Sequence, residues 1–524
     1  MYFAALPRSL AFDERLEKSR LLAPVFLMLA LAAALPIFSV DIPPLADYIN
    51  HLARMHVIAY VDENPLLSQF YSIDWAIIPN LMMDLIVPPL HRSMDIYLAG
   101  KAFLLATFMV TVTGCFALHY ALYRHWSPWP LVSFLFLYNN VLLFGLMNYL
   151  FGLGVALWGC AAWIALRGRS AIVRGVVSVA FIAVLFVSHL FAVGLYGLGL
   201  MCCELWLWQR QRQHLTLKRC VIDCLAFGVP FLMIIPPMLK SPTIGLAGDY
   251  VWESSGKLDG LYYIFQNYSD LLDMSLAALM VAALVWAIQS RLLRLHPIGW
   301  YLMGIGTVVY MIMPRMLFSS WVADQRLPIA LVFMMIGFAR FDTANRTGRY
   351  ALYLFVVLMG ITRFASEQLI WQNIDHAYSD FRRSVEHIEP GSKVLVAIAD
   401  QQSGNEAFNM SLSHAACIAM IERSSLVTTA FSVQGKQVLT VKPEYRDRVD
   451  TQDGEPPTAS QLVAATAADR SIPQDAYWAN WTEQYDYVYI LYTDSDPNPA
   501  PEYLTSVYEG NRFQLYRIKT GEGE

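Results

Sequence analysis

The stretch LLAPVFLMLALAAALPIFSVDIPPLADYINHLARMHVIAYVDE, residues 21–63, sets the reading of the whole chain. Leu21–Val40 is an unbroken apolar run of 20 residues, the length that crosses a hydrocarbon core and longer than the apolar part of a cleaved signal peptide. Arg8, Arg15, Lys18 and Arg20 precede it, so a retained anchor with a cytoplasmic N-terminus is expected. Pro43 and Pro44 then stop that helix and open a new one. In the new helix Asp47, His51 and Arg54 recur at i, i+4 and i+7, within an arc of roughly 60° on one face. Leu52, Met55 and Ala59 lie off that face. The helix is therefore expected to rest on the bilayer surface, with carboxylate, imidazole and guanidinium pointing together into the space above it.

Composition agrees with a membrane body. The 524 residues are 56% hydrophobic and 15% charged, with a mean hydropathy of +0.41. That is too little charge to coat a soluble surface, and it excludes disordered and fibrous classes. Ten further apolar runs follow at about 96–120, 129–143, 146–166, 171–188, 190–208, 220–238, 271–289, 298–313, 327–341 and 350–371. Arg and Lys concentrate in alternate connections, at Arg124, Arg167–Arg174, Arg210–Arg219, Arg291–Arg294 and Arg340–Arg349. An odd number of spans then places the C-terminal tail outside.

Charge marks that tail as a separate unit. Residues 375–524 hold 12 Lys+Arg against 22 Asp+Glu, whereas residues 1–374 hold 25 against 20. The expected fold is an α-helical polytopic membrane protein of about eleven transmembrane helices over 1–374, followed by an extracytoplasmic α/β domain over 375–524. Strands are expected at Lys393–Ala399, Leu426–Phe431, Tyr485–Tyr492 and Phe513–Ile518, with a helix around Leu412–Ile421. Two outer loops are long, 41–95 and 239–270. The first carries a second amphipathic pattern, Trp75, Ile78, Met82, Leu85 and Ile86. Neither part has the clustered basic face that nucleic acid requires. The tail contains one cysteine, Cys417, and so no internal disulfide.

A carboxylate can take a proton from an attacking hydroxyl, and an Arg can neutralise a departing phosphate. His51 can orient the carboxylate or bond the phosphate. Together these parts suit transfer of a group from a phosphate-bearing lipid to an acceptor hydroxyl. The same spacing also suits an interfacial helix whose Asp/Arg pair serves anchoring.

Asp47-Tyr48-Ile49-Asn50-His51-Leu52-Ala53-Arg54 resembles the first outer loop of bacterial membrane glycosyltransferases of the GT-C superfamily, where Pro stands in place of Ile49. Phe144–Gly154 (FGLMNYLFGLG), Ser188–Leu190 (SHL) and Asp324–Pro328 (DQRLP) are also similar. The resemblance implies a GT-C-like body in a bacterial inner membrane, with the tail periplasmic. It implies a polyprenyl-phosphate-linked sugar donor bound among membrane lipids, a glycan or lipid acceptor, and an acid acting as base. That role falls on Asp47, or on Asp41 just outside the first span. The paired acids common in the superfamily are absent here between Asp41 and Val61, which leaves open the acid and any divalent metal, Mg or Mn.

Further candidates lie elsewhere. Arg326 and Lys101 sit near the outer ends of spans and suit a donor phosphate; each can instead snorkel, and Arg326 can pair with Asp324. His189 at a turn suits a polar cap. Asp249, Trp252 and Glu253 combine an aromatic face with carboxylates, as acceptor sugars require. Glu204 and Asp223, near basic loops, read as structural. Asp494 and Asp496 form a DxD that a turn explains.

Two rival functions fit the same spans: a transporter or flippase for a lipid-linked glycan, and a non-catalytic polysaccharide-assembly protein. Transporters typically show repeats and charged midplane sites. Here no repeat is seen, and the ionisable residues gather at the outer face.

Overall fold

Leu22–Ser39 is a helix whose Leu27, Leu31 and Leu35 remain 59–63% exposed, an outward apolar face that suits lipid and not water. The computed structural model describes residues 20–519 apart from 212, 214–215, 247, 249, 319, 343–344, 403–405, 451–455, 468–471, 474 and 495. Among the described residues, eight helices are long and apolar enough to cross a membrane, and Pro297–Ile312 and Arg326–Phe338 are shorter apolar helices.

The expected run at 129–143 takes a different form. It is a 3₁₀ segment, Trp129–Phe136, followed by the short helix Asn140–Leu143. Asn139 breaks the run: its backbone is extended, and its side-chain oxygen accepts from Leu142 N–H at 3.2 Å. On the side where Arg loops were expected, Arg167 bridges Glu204 (2.7 Å) and Asp223 (2.9 Å), and Arg174 also reaches Asp223 (2.6 Å). Glu204 and Asp223 thus form a buried cluster with Arg167 and Arg174, which neutralise them.

The 41–95 loop holds the helices Tyr48–Tyr60, Pro65–Phe70 and Met82–His91; the second amphipathic pattern is helical only from Met82 on, and Trp75 and Ile78 lie in irregular backbone before it. The first helix is enclosed by protein, with Tyr48, Ile49, Leu52, Ala53 and Met55 fully buried. Its cover is the C-terminal domain. Tyr71–Ile73 pairs antiparallel with Leu439–Val441, and Tyr71 Oη donates to Ser425 O at 3.0 Å.

The C-terminal domain is α/β. Its sheet runs in the order Leu504–Gly510, Phe513–Ile518, Tyr487–Leu491, Lys393–Ile398, Leu426–Val427, with the last three mutually parallel and the rest antiparallel. Leu504–Gly510 and Leu439–Val441 are strands that the alternation of residue types did not announce. Arg346–Val385 is one unbroken helix of 40 residues, about 60 Å long. It begins in the apolar body and ends under the sheet, where Phe381 stacks on Phe513 with centroids 3.8 Å apart. The change of composition near residue 374 is therefore a change of surroundings along a rigid rod, with no linker.

Candidate functional site

A cavity of about 1630 Å³ lies where the helical body, the 41–95 loop and the C-terminal domain meet. Asp47, His51, Tyr149, His189 and Arg326 line it from the body, and His414, Phe431, Lys436, Arg446 and Asp450 from the C-terminal domain.

The short motifs noted in the sequence converge here, each for a local reason. Asp47 precedes the Tyr48–Tyr60 helix, and its N–H donates to Phe144 O at 3.3 Å. Gly145 makes that approach possible. Its φ is +80°, and a Cβ there would meet Asp47 N at 2.8 Å. Asn148 fastens the second half of the loop, accepting Met83 N–H and donating to Asn80 O, both at 2.8 Å. His189 caps Leu190–Arg210 by accepting Phe191 N–H at 3.2 Å, as a polar cap should. Arg326 opens Arg326–Phe338, and its carbonyl accepts Tyr149 Oη at 2.7 Å.

Of the acids that line the cavity, Asp47, Asp74 and Asp450, Asp47 is the one that faces both Arg326 and His414. Its side chain is 29% exposed, toward the cavity, and His414 Nε2 stands 3.7 Å from Oδ1. Burial raises its carboxyl to about 7, against the opposing pull of Arg326 and Arg54. His51 is buried with Nδ1 unpartnered and lies edge-on to Phe431 at 5.5 Å. Burial, with the Arg54 charge, holds it well below the usual histidine range.

Arg326 is the fixed cation beside it. Nη2 donates to Ser320 Oγ (2.9 Å) and Trp321 O (2.7 Å), Nη1 lies 3.1 Å from His189 Nε2, and Nε has no partner. Asp324 does not pair with Arg326. It takes Lys257 Nζ at 2.6 Å.

Other candidates fall elsewhere. Arg54 is 1% exposed and grips Asp84 with both arms, at 2.9 and 3.1 Å, so it turns from the cavity and is not offered to a phosphate. The helix is packed all round, and its Arg meets a neighbour that spacing alone does not show. Asp41 is 65% exposed, accepts Arg382 Nη1 at 3.3 Å and lies outside the cavity lining. Lys101 Nζ donates to Val40 O and caps the first helix. Trp252 donates to Met311 O at 3.3 Å, and Glu253 pairs with Arg315 at 3.0 Å; both are apart from the cavity lining. Asp249 lies outside the described residues. Asp496 N–H donates to Thr493 Oγ1 at 3.3 Å within a turn, away from the cavity lining.

His414 and Tyr149 are site residues that sequence reasoning missed. His414 is one of three histidines in the acidic tail and carries no local signal of its destination. Tyr149 lay inside a quoted motif but reads as one more aromatic.

Among the described residues, no group of three or more His, Cys, Asp or Glu side chains is placed to hold a metal. Around Asp47 the neighbours are two histidines and Arg326, a donor set that does not fit Mg or Mn, which take oxygen ligands.

This arrangement is a GT-C fold: a helical membrane body, the helices of the 41–95 loop and a C-terminal domain closing over the cavity. The crystal structure of ArnT from Cupriavidus metallidurans bound to undecaprenyl phosphate matches it with a TM-score of 0.52 at 10% identity, over 95% of this chain and 98% of that one. The apo state of the same protein matches with a TM-score of 0.51 at 11% identity, over 94% and 98%. At such identity the likeness establishes the fold. No family model matches the chain, and no curated protein sequence matches it.

Proposed function

We propose that this chain is a membrane glycosyltransferase that moves a sugar from a polyprenyl phosphate carrier to an extracytoplasmic glycan or lipid acceptor. The observation that carries the reading is that a buried acid, Asp47, lies within electrostatic reach of a cation held by its neighbours, Arg326, on the cavity at the junction of body and C-terminal domain. ArnT, whose fold it shares, was crystallised with undecaprenyl phosphate.

In this reading Asp47 accepts the proton of the acceptor hydroxyl, whose oxygen bonds to the anomeric carbon. The bond from that carbon to the phosphate oxygen breaks, and the electron pair leaves with the polyprenyl phosphate. Arg326 takes up the charge that develops there. His189 supports a phosphate at this point. A neutral imidazole has one lone pair, yet Phe191 N–H and Arg326 Nη1 approach its two nitrogens at 3.2 and 3.1 Å. One contact is donor against donor, and an anionic oxygen between His189 and Arg326 would relieve it. The setting that goes with this reading is a bacterial inner membrane, with the N-terminus cytoplasmic and the C-terminal domain periplasmic.

The test is mass spectrometry of lipids that copurify with the detergent-extracted chain, wild type beside Arg326→Ala and Asp47→Asn. A polyprenyl phosphate, bare or glycosylated, is expected with wild type and Asp47→Asn and lost from Arg326→Ala. Ordinary phospholipids alone in all three samples would overturn the reading.

A further inference from the structure

His414 reaches the cavity from the C-terminal domain, and its hydrogen bonds determine which ring nitrogen carries the proton. Asn50, in the Tyr48–Tyr60 helix, is 1% exposed and bonded to that domain at three points. Its oxygen accepts Phe431 N–H at 2.9 Å, and its nitrogen donates to Thr429 O at 2.8 Å. A backbone N–H can only donate and a carbonyl only accept, so these two bonds fix the orientation of the amide. The third contact, Asn50 Nδ2 to His414 Nδ1 at 3.1 Å, is therefore a donation by Asn50. Nδ1 is the acceptor and carries no proton.

The neutral ring then holds its proton on Nε2, the nitrogen 3.7 Å from Asp47 Oδ1. That distance is longer than a hydrogen bond, as catalytic contacts often are before substrate binds. Burial holds His414 down at about 4, so the ring is neutral over the working range. The groups facing Asp47 are Arg326 across the cavity, Arg54 (neutralised by Asp84) and His51 on its own helix, and His414 from the other domain. His51 and His414 also face each other through Phe431, which meets both rings edge-on.

We propose that His414 is a positioning residue for Asp47: its Nε2–H, locked in place by Asn50, engages Oδ1, stabilises the ionised carboxylate and leaves Oδ2 free for the acceptor hydroxyl. This rests on the reading of Asp47 as the base. The base is complete only when the C-terminal domain is docked, because the residue that tunes it arrives through the Asn50 clamp.

Two substitutions separate the halves of the ring. His414→Asn keeps an acceptor for Asn50 near the Nδ1 position and removes the donor to Asp47. His414→Gln places an amide N–H near the Nε2 position. The readout is the ionisation of Asp47 in the full chain in detergent, followed by pH-difference infrared spectroscopy as the carboxyl band missing from Asp47→Asn. The expected result is an upward move of about one pH unit in His414→Asn, and a value near wild type in His414→Gln. Identical titration in wild type and both variants would overturn the proposal, as would a move in His414→Gln alone, which marks a packing role. The measurement needs no sugar donor. Failure of the glycosyltransferase reading shows separately, in the copurified lipids.

Discussion

Arg54 and Asp84 form a two-pronged ion pair with both side chains 1% exposed, joining helices Tyr48–Tyr60 and Met82–His91 of the 41–95 loop. Removing one partner strands the other charge in a dry site. Arg54→Ala is therefore expected to cost about 3–5 kcal/mol of stability, read as a loss of thermal midpoint. Any fall in activity should track folded fraction, and copurified polyprenyl phosphate per folded molecule should be unchanged. A stable Arg54→Ala that loses only the lipid would return Arg54 to the phosphate.

Asp47→Asn should lower transfer by roughly 10²–10⁴-fold while keeping the lipid bound. A base must be ionised to accept a proton, and burial sets Asp47 at about 7. Transfer in wild type is thus expected to rise with pH through about 7 and level above it. A rate independent of pH between 5 and 8 would remove Asp47 from the chemistry.

Arg326 is held at Nη1 and Nη2 and unpartnered at Nε. Replacing it with Ala should weaken polyprenyl phosphate binding by about 1.5–3 kcal/mol, roughly 10- to 100-fold. Arg326→Lys should recover part of this, because an ammonium supplies charge without the planar fork. Binding of a fluorescent polyprenyl phosphate to the three proteins checks both expectations.

Phe381 ties the long helix to the sheet through its stack on Phe513 at 3.8 Å and is fully buried. Phe381→Ala should cost about 3–5 kcal/mol and loosen the C-terminal domain. Limited proteolysis should then cut the domain while leaving the membrane body intact. Equal protease resistance in both proteins would show that the domain is held mainly elsewhere.

Acid should destabilise the packing of the loop helices on each other, through His56, and on the C-terminal domain, through His414. Burial depresses His414 to about 4, and burial with the His91 charge does the same to His56. In the unfolded chain both titrate near 6.5, so the unfolded state binds more protons between those values. Stability is expected to fall as pH drops from about 6.5 through 4. Asp47, raised to about 7, acts in the opposite sense, losing stability as pH rises from about 4 to 7. His56→Asn should flatten the acid limb of thermal midpoint against pH.

Much of the fold was legible because it depends on composition and short-range period. Apolar runs of bilayer length, Arg in alternate connections and an acidic β-rich tail are each properties of one segment. Hydropathy alone makes the run at 129–143 look like one helix, because it does not register where the extended backbone of Asn139 breaks the hydrogen-bond ladder. Strand Leu439–Val441 was missed because its partner, Tyr71–Ile73, belongs to the membrane half.

The candidate site divides the same way. Asp47 was accessible from its place after the first span, and Arg326 from its depth at a span end. Asp47, His51 and Arg54 were read together because their spacing puts them on one helical arc. An arc fixes an angle about one axis and says nothing about what packs against it. Asp84 claimed Arg54, while Phe431 and the cavity took His51. Sequence by itself determined a polytopic membrane body, an acidic α/β tail and an acid just outside the first span, since these follow from local chemistry. The tertiary structure alone decided that Arg326 and His414, remote along the chain, share a cavity with Asp47, because only packing brings residues so far apart in sequence to one site.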